Sequence, residues 1–111
     1  MNKVRFSIPF THEEYSQLEI IASRTGRSVT NTAGFLLKKL FEEGCEREVS
    51  RATLNNRHDV CLRIDKEFLN RLRERAANSN RAVTVQAKRI IFGFDKDTLI
   101  RVLTEGIDLR N

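Results

Sequence analysis

Arg5, Ser7 and Pro9 stand at alternate positions near the start of the chain, and Asp59, Cys61 and Arg63 repeat that spacing further on. Side chains two apart on an extended segment share a face, so each triplet forms a short polar edge. The chemistry such an edge offers is hydrogen-bond recognition. Arginine presents a planar fork of donors, serine a hydroxyl and aspartate an acceptor, whereas Pro9 has no side-chain donor. Cys61 is either a weak contact of that edge or a small strand residue, because a thiol is a poor donor. Catalytic chemistry finds no footing. His12 and His58, the only histidines, have no nucleophile or ligand cluster beside them, Cys45 and Cys61 form no CxxC pair, and no Gly-rich phosphate loop occurs. The chain is therefore expected to be no enzyme and to need no metal or other cofactor.

The elements that must carry these edges emerge from an internal repeat. Sliding the sequence by 54 positions, the distance from Leu18 to Leu72, also places Ala22 on Ala76, Arg27 on Arg81, Val29 on Val83, Thr30 on Thr84 and Ala33 on Ala87 without a gap. Leu36 and Leu37 then meet Ile90 and Ile91. The same shift puts Phe6, Ile8 and Phe10 on Val60, Leu62 and Ile64, and both triplets alternate with polar residues as a half-buried strand does. Each copy opens with a strand whose polar side is one of the two edges.

Thr11, His12, Glu13 and Glu14 match a capping box, which starts a helix buried along Tyr15, Leu18 and Ala22 and ended by Gly26 in the left-handed region. Ser28 caps a second helix with apolar positions Val29, Ala33, Leu36, Leu37 and Leu40, running up to Gly44. In the second copy Asp65 takes the capping place of Thr11, Leu69, Leu72 and Ala76 form the inner face, and Asn80 replaces Gly26. Ala82 stands where the first copy has Ser28, so that cap is either lost or moved to Thr84. After Gly93, Asp95 or Asp97 caps a last helix carrying Leu99, Ile100, Val102 and Leu103, closed by Gly106. The apolar face of residues 98–109 either packs on the core or serves a protein partner or another copy of the chain.

The 111 residues suffice for one modest core, and 20 Lys and Arg against 15 Asp and Glu leave a net charge of +5, which favours a polyanionic partner. No apolar run reaches membrane-spanning length, and the first residues alternate charged and apolar where a signal peptide needs a continuous apolar stretch. With two cysteines and no disulfide framework, a cytoplasmic protein is expected, engaging neither membrane nor small-molecule substrate. The expected organisation is one globular domain overall. Residues 1–44 form a first strand-helix-helix unit, 45–56 a flexible polar connector, 57–94 a second unit, and 95–111 a C-terminal helix and tail.

A short lone strand has no partner and a two-helix unit cannot bury its apolar face, so the two strands are expected to pair antiparallel, within one chain or exchanged between two. A two-stranded ribbon of this kind fits the major groove of B-DNA. The stretch Gly26-Arg27-Ser28-Val29-Thr30-Asn31, preceded at the expected distance by Phe6-Ser7-Ile8, resembles the inter-helix turn of Arc. Residues 3–94 resemble the ribbon-helix-helix DNA-binding proteins of the Arc/MetJ superfamily, and Leu62-Arg63-Ile64-Asp65-Lys66-Glu67 in a fused tandem looks like the TraY proteins of conjugative plasmids. The fold this implies is mainly α with a short antiparallel β-ribbon, two tandem ribbon-helix-helix units forming an intramolecular pseudo-dimer.

The resemblance also implies that Arg5, Ser7, Pro9, Asp59, Cys61 and Arg63 read bases. Phosphates fall to Lys3, Arg27, Ser28, Val29 and Thr30 in the first unit and to Arg81, Ala82, Val83 and Thr84 in the second. A helix N-terminus suits an anion on physical grounds as well, through its free amides and dipole. In the family's symmetric register Ser7 opposes Cys61, Arg5 nears Arg63 and Pro9 nears Asp59. The ribbon is then lopsided, its arginine end reading guanines and its target lacking strict palindromy.

The function expected is sequence-specific binding of double-stranded DNA, as a transcriptional regulator such as a repressor, or as a TraY-like accessory protein of the relaxosome at a plasmid transfer origin. Self-association on DNA and contact with a relaxase or other relaxosome component are the further partners implied. The alternative is an antitoxin that binds operator DNA and holds a toxin through its C-terminal segment. The capped helix read over residues 95–106 counts against it, since such segments are usually disordered before binding.

Overall fold

The two runs of alternating apolar residues do form strands. In a computed structural model that describes residues 2–106, the order is β1 (Lys3–Phe10), α1 (His12–Thr25), α2 (Val29–Leu40), β2 (His58–Asp65), α3 (Lys66–Asn78), α4 (Val83–Ile91) and α5 (Lys96–Glu105). The described chain is mainly helical, with five helices around one two-stranded antiparallel sheet. The expected tail and the end of the apolar face assigned to residues 98–109 lie, from residue 107 on, outside the described residues.

On the inner face of the ladder Val4 pairs with Ile64, Phe6 with Leu62 and Ile8 with Val60. Phe6, Ile8, Phe10, Val60, Leu62 and Ile64 are all buried, because α2 packs across β2 and α4 across β1. Leu36, Leu37 and Leu40 of α2, Ile90 and Ile91 of α4, Leu18 of α1 and Leu72 of α3 join them in one continuous core. A two-stranded ladder is marginal alone, whereas each such side chain stabilises by roughly 1.5–3 kcal/mol on burial, so the helices hold the ribbon in shape. Leu99 and Val102 of α5 are buried as that helix packs on α1.

The chain ends its elements largely where local chemistry dictates. Thr11 Oγ1 accepts from the Glu14 amide at 3.2 Å while Glu14 Oε1 accepts from the Thr11 amide at 2.7 Å, closing the capping box of α1. Gly26 takes φ 69° after α1, and Asn80 takes φ 56° after α3, the one non-glycine to do so among the described residues. Ser28 Oγ accepts from the Asn31 amide at 3.0 Å at the start of α2. Asp95 caps α5, where the Thr98 side chain and then its amide hold the carboxyl below the usual aspartate range.

Three expectations change, and one left open is resolved. Asp65 precedes α3 but makes no capping bond: it ends the ladder opposite Lys3, with its Oδ1 3.6 Å from Lys3 Nζ and without a hydrogen-bond partner among the described residues. α4 starts after Ala82 without a side-chain cap, so the cap is lost rather than moved to Thr84, which sits inside the first turn. α2 ends at Leu40, short of Gly44, where Arg75 takes the Phe41 carbonyl at 2.6 Å and lies 3.7 Å over its ring.

The connector, expected to be flexible, is docked. The Arg47 amide donates to the Arg89 carbonyl at 3.2 Å, Val49 packs on the core, and a Cβ at Gly93 would stand 2.5 Å from the Cys45 carbonyl oxygen. Only glycine admits so close an approach. Among the described residues no helix is long and apolar enough to cross a membrane.

Candidate nucleic-acid interface

Strand alternation turns the second set of side chains outward. Rung by rung, the outer face sets Lys3 opposite Asp65, Arg5 opposite Arg63, Ser7 opposite Cys61 and Pro9 opposite Asp59. Lys3, Arg5, Ser7, Asp59, Cys61 and Arg63 are exposed and Pro9 is half-buried. The six strand residues singled out from sequence therefore share one surface, in the register expected.

Opposed side chains in a ladder have Cβ atoms about 4.5–5.5 Å apart, and like charges there destabilise it. Arg5 faces Arg63 in this way, and among the described residues neither has an acidic partner, whereas Arg57, Arg71, Arg81, Arg89 and Arg101 each do. At the far end Asp59 is already held, its Oδ1 accepting from Arg57 Nε at 2.8 Å. The face is strongly positive at one end and close to neutral at the other.

The starts of α2 and α4 flank the ribbon unequally. Beside β2, Thr30, Asn31, Phe35 and Arg63 line a groove of about 510 Å³, while beside β1 a groove of about 220 Å³ is lined by Pro9, Ala82, Thr84 and the connector residues Arg51 and Ala52. The difference begins at one aligned pair. Gly34 leaves its flank open, whereas Lys88, 54 positions on, is 2% exposed and fills the other. Lys88 Nζ lies 2.8 Å from Glu14 Oε1 and donates to the carbonyls of Ser50 at 2.7 Å and Pro9 at 3.2 Å. All three ammonium protons have a partner, which is what lets a lysine stay buried.

Of the residues expected on the phosphate side, Ser28, Val29 and Thr30 begin α2 and Ala82, Val83 and Thr84 begin α4. Arg27 donates to Asn31 Oδ1 at 3.0 Å and lies 4.6 Å over the Phe35 ring. Arg81 is drawn elsewhere. Its guanidinium meets Glu46 at 3.4 Å and Gln86 at 3.2 Å, and Arg89 reaches the same Glu46 at 3.1 Å, so the two arginines share one carboxylate within the protein.

Sequence reasoning passed over two clusters. Lys88 is one, and its signal was its alignment with Gly34 on a buried helix face. The other joins His12 Nδ1 to His58 Nε2 at 2.6 Å, with the Tyr15 ring stacked on His58 at 4.4 Å and the Asn55 carbonyl 3.2 Å from His12 Nε2. One ring must donate and the other accept, and the pair ties α1 to β2 and to the connector turn. The register foretold it, because His58 falls opposite Phe10, two residues from His12. No group of three or more potential metal ligands occurs among the described residues.

Fold and site together define a mainly helical protein that displays the outer face of a two-stranded antiparallel ribbon. Set against protein-family models, curated proteins and solved structures, the chain finds no match.

Proposed function

We propose that this chain is a tandem ribbon-helix-helix protein that binds double-stranded DNA sequence-specifically, laying the outer face of β1 and β2 in the major groove. The observation that carries the reading is Arg5 opposite Arg63, both exposed and neither ion-paired among the described residues. Two such guanidiniums cost stability in the free protein and gain partners in a complex, where arginine bonds guanine O6 and N7 in bidentate fashion. The pseudo-dimer is supported by the 54-residue alignment, by the same strand-helix-helix order in both halves, and by the matched left-handed turns at Gly26 and Asn80. Amides at Ser28 and Val29 and at Ala82 and Val83 hold phosphates on the two flanks.

Ser7 and Cys61 sit at the middle rung, and the Pro9–Asp59 end contributes little base reading, so the target is not a strict palindrome. The biological role is that of a cytoplasmic transcriptional regulator, or of a TraY-like accessory protein at a plasmid transfer origin, without a catalytic step. Selection from a random duplex pool tests the reading, followed by binding of the winner to an Arg5→Ala, Arg63→Ala variant across salt. The double variant loses preference for the selected site by about 1–3 kcal/mol for each bidentate contact removed, and keeps most of its salt-sensitive affinity for any duplex. A pool without an enriched sequence, or a variant with full preference, would sink the proposal.

A further inference from the structure

We infer that the connector between α2 and β2 is a second DNA-contacting element, with Arg51 binding a backbone phosphate beside the Pro9 end of the ribbon; this rests on the DNA-binding reading above. The connector is pinned on both sides of Arg51. Upstream, the Ser50 carbonyl accepts from Lys88 Nζ at 2.7 Å, and the same Nζ donates to the Pro9 carbonyl at 3.2 Å, so one buried cation fastens the connector to β1. Downstream, Asn56 Oδ1 accepts from the His12 amide at 2.6 Å, and the Asn56 amide closes a turn on the Thr53 carbonyl at 3.2 Å. A segment fixed at two points loses little further entropy when it binds.

What lies between the pins has the character of a phosphate contact. Arg51 is exposed, it shares a groove with Pro9, Ala82 and Thr84, and among the described residues it has no acidic partner. Lys88, which lines the same groove, and three other cations are already occupied. Arg57 is held by Asp59, Arg81 and Arg89 by Glu46, and Lys88 by Glu14. Arg51 thus supplies positive charge at the end of the ribbon where the strands themselves supply none, and its guanidinium suits a phosphate in bidentate geometry. The opposite flank has its own cations in Arg63 and Lys38, around the groove that Gly34 leaves open. The connector occurs once in the repeat, so the added contact falls on one side of the bound site only.

Phosphate-ethylation interference on the selected duplex tests this, comparing the native chain with Arg51→Ala and Arg51→Glu. The guanines that an Arg5→Ala, Arg63→Ala variant ceases to read mark the arginine end of the site. Arg51→Ala is expected to lose interference at a phosphate on the other flank, and the slope of log affinity against log salt should shrink by about 0.9, the value for one phosphate neutralised. Arg51→Glu should weaken binding further at low salt. An unchanged pattern and slope in Arg51→Ala, with binding intact, overturns the inference while leaving the ribbon reading standing. Interference that disappears at a phosphate on the arginine flank instead has the same effect. A native chain that binds no duplex overturns both.

Discussion

Lys88 decides the difference between the two flanks, and it does so through the three contacts of its buried ammonium. Its ammonium joins α4 to the Glu14 carboxylate of α1, to the Pro9 carbonyl of β1 and to the Ser50 carbonyl of the connector. Breaking a buried ion pair from one side strands the other charge, at a cost of about 3–5 kcal/mol. Lys88→Met should lower the unfolding free energy by that amount in urea titration, and adding Glu14→Gln should recover part of it. A loss below about 1 kcal/mol would mean that the pair is solvated, as surface pairs are. Arg5 and Arg63 present the opposite arrangement, two like charges on adjoining strands with no acid beside them among the described residues. The arginine end was legible from alternation and the family's register, whereas the neutrality of the other end was not, because it depends on Arg57 holding Asp59. Lys88 was legible only through its alignment with Gly34, because a lysine on an amphipathic helix is ordinarily a solvated group and nothing in its immediate neighbourhood distinguishes this one.

At the scale of elements, the two helix starts that flank the ribbon differ in one hydroxyl. Ser28 meets the Asn31 amide, whereas Ala82 leaves α4 without a side-chain cap. Ala82→Ser should therefore stabilise the protein by about 1 kcal/mol, seen as a higher denaturation midpoint with unchanged cooperativity. Strands and helices were readable because each depends on apolar period and on residues within a few positions, whereas the ladder register, between segments far apart in the chain, came only from the family resemblance. Asp65 misled by making no capping bond and meeting Lys3 across the sheet. The end of α2 shifted because Arg75, from α3, captured the Phe41 carbonyl. The docked connector was hidden for the same reason, since Glu46, Val49 and Ser50 find their partners only after α4 and the core are assembled.

Taken whole, the molecule closes its ladder and its core within one chain. Its thermal midpoint should then be independent of protein concentration, whereas a protein whose strands were exchanged between chains would melt higher as concentration rises. Circular dichroism melts spanning a hundredfold dilution, roughly the range over which linkage becomes visible, check this. The halves are nonetheless unlike, with Gly34 on one side answered by Lys88 and a pinned connector on the other. A body without a two-fold axis keeps all its contacts on a linear polymer in only one direction of travel. On directly repeated copies of the proposed DNA site, successive chains would meet head to tail, through dissimilar surfaces, and such contacts extend as an open row instead of closing into pairs.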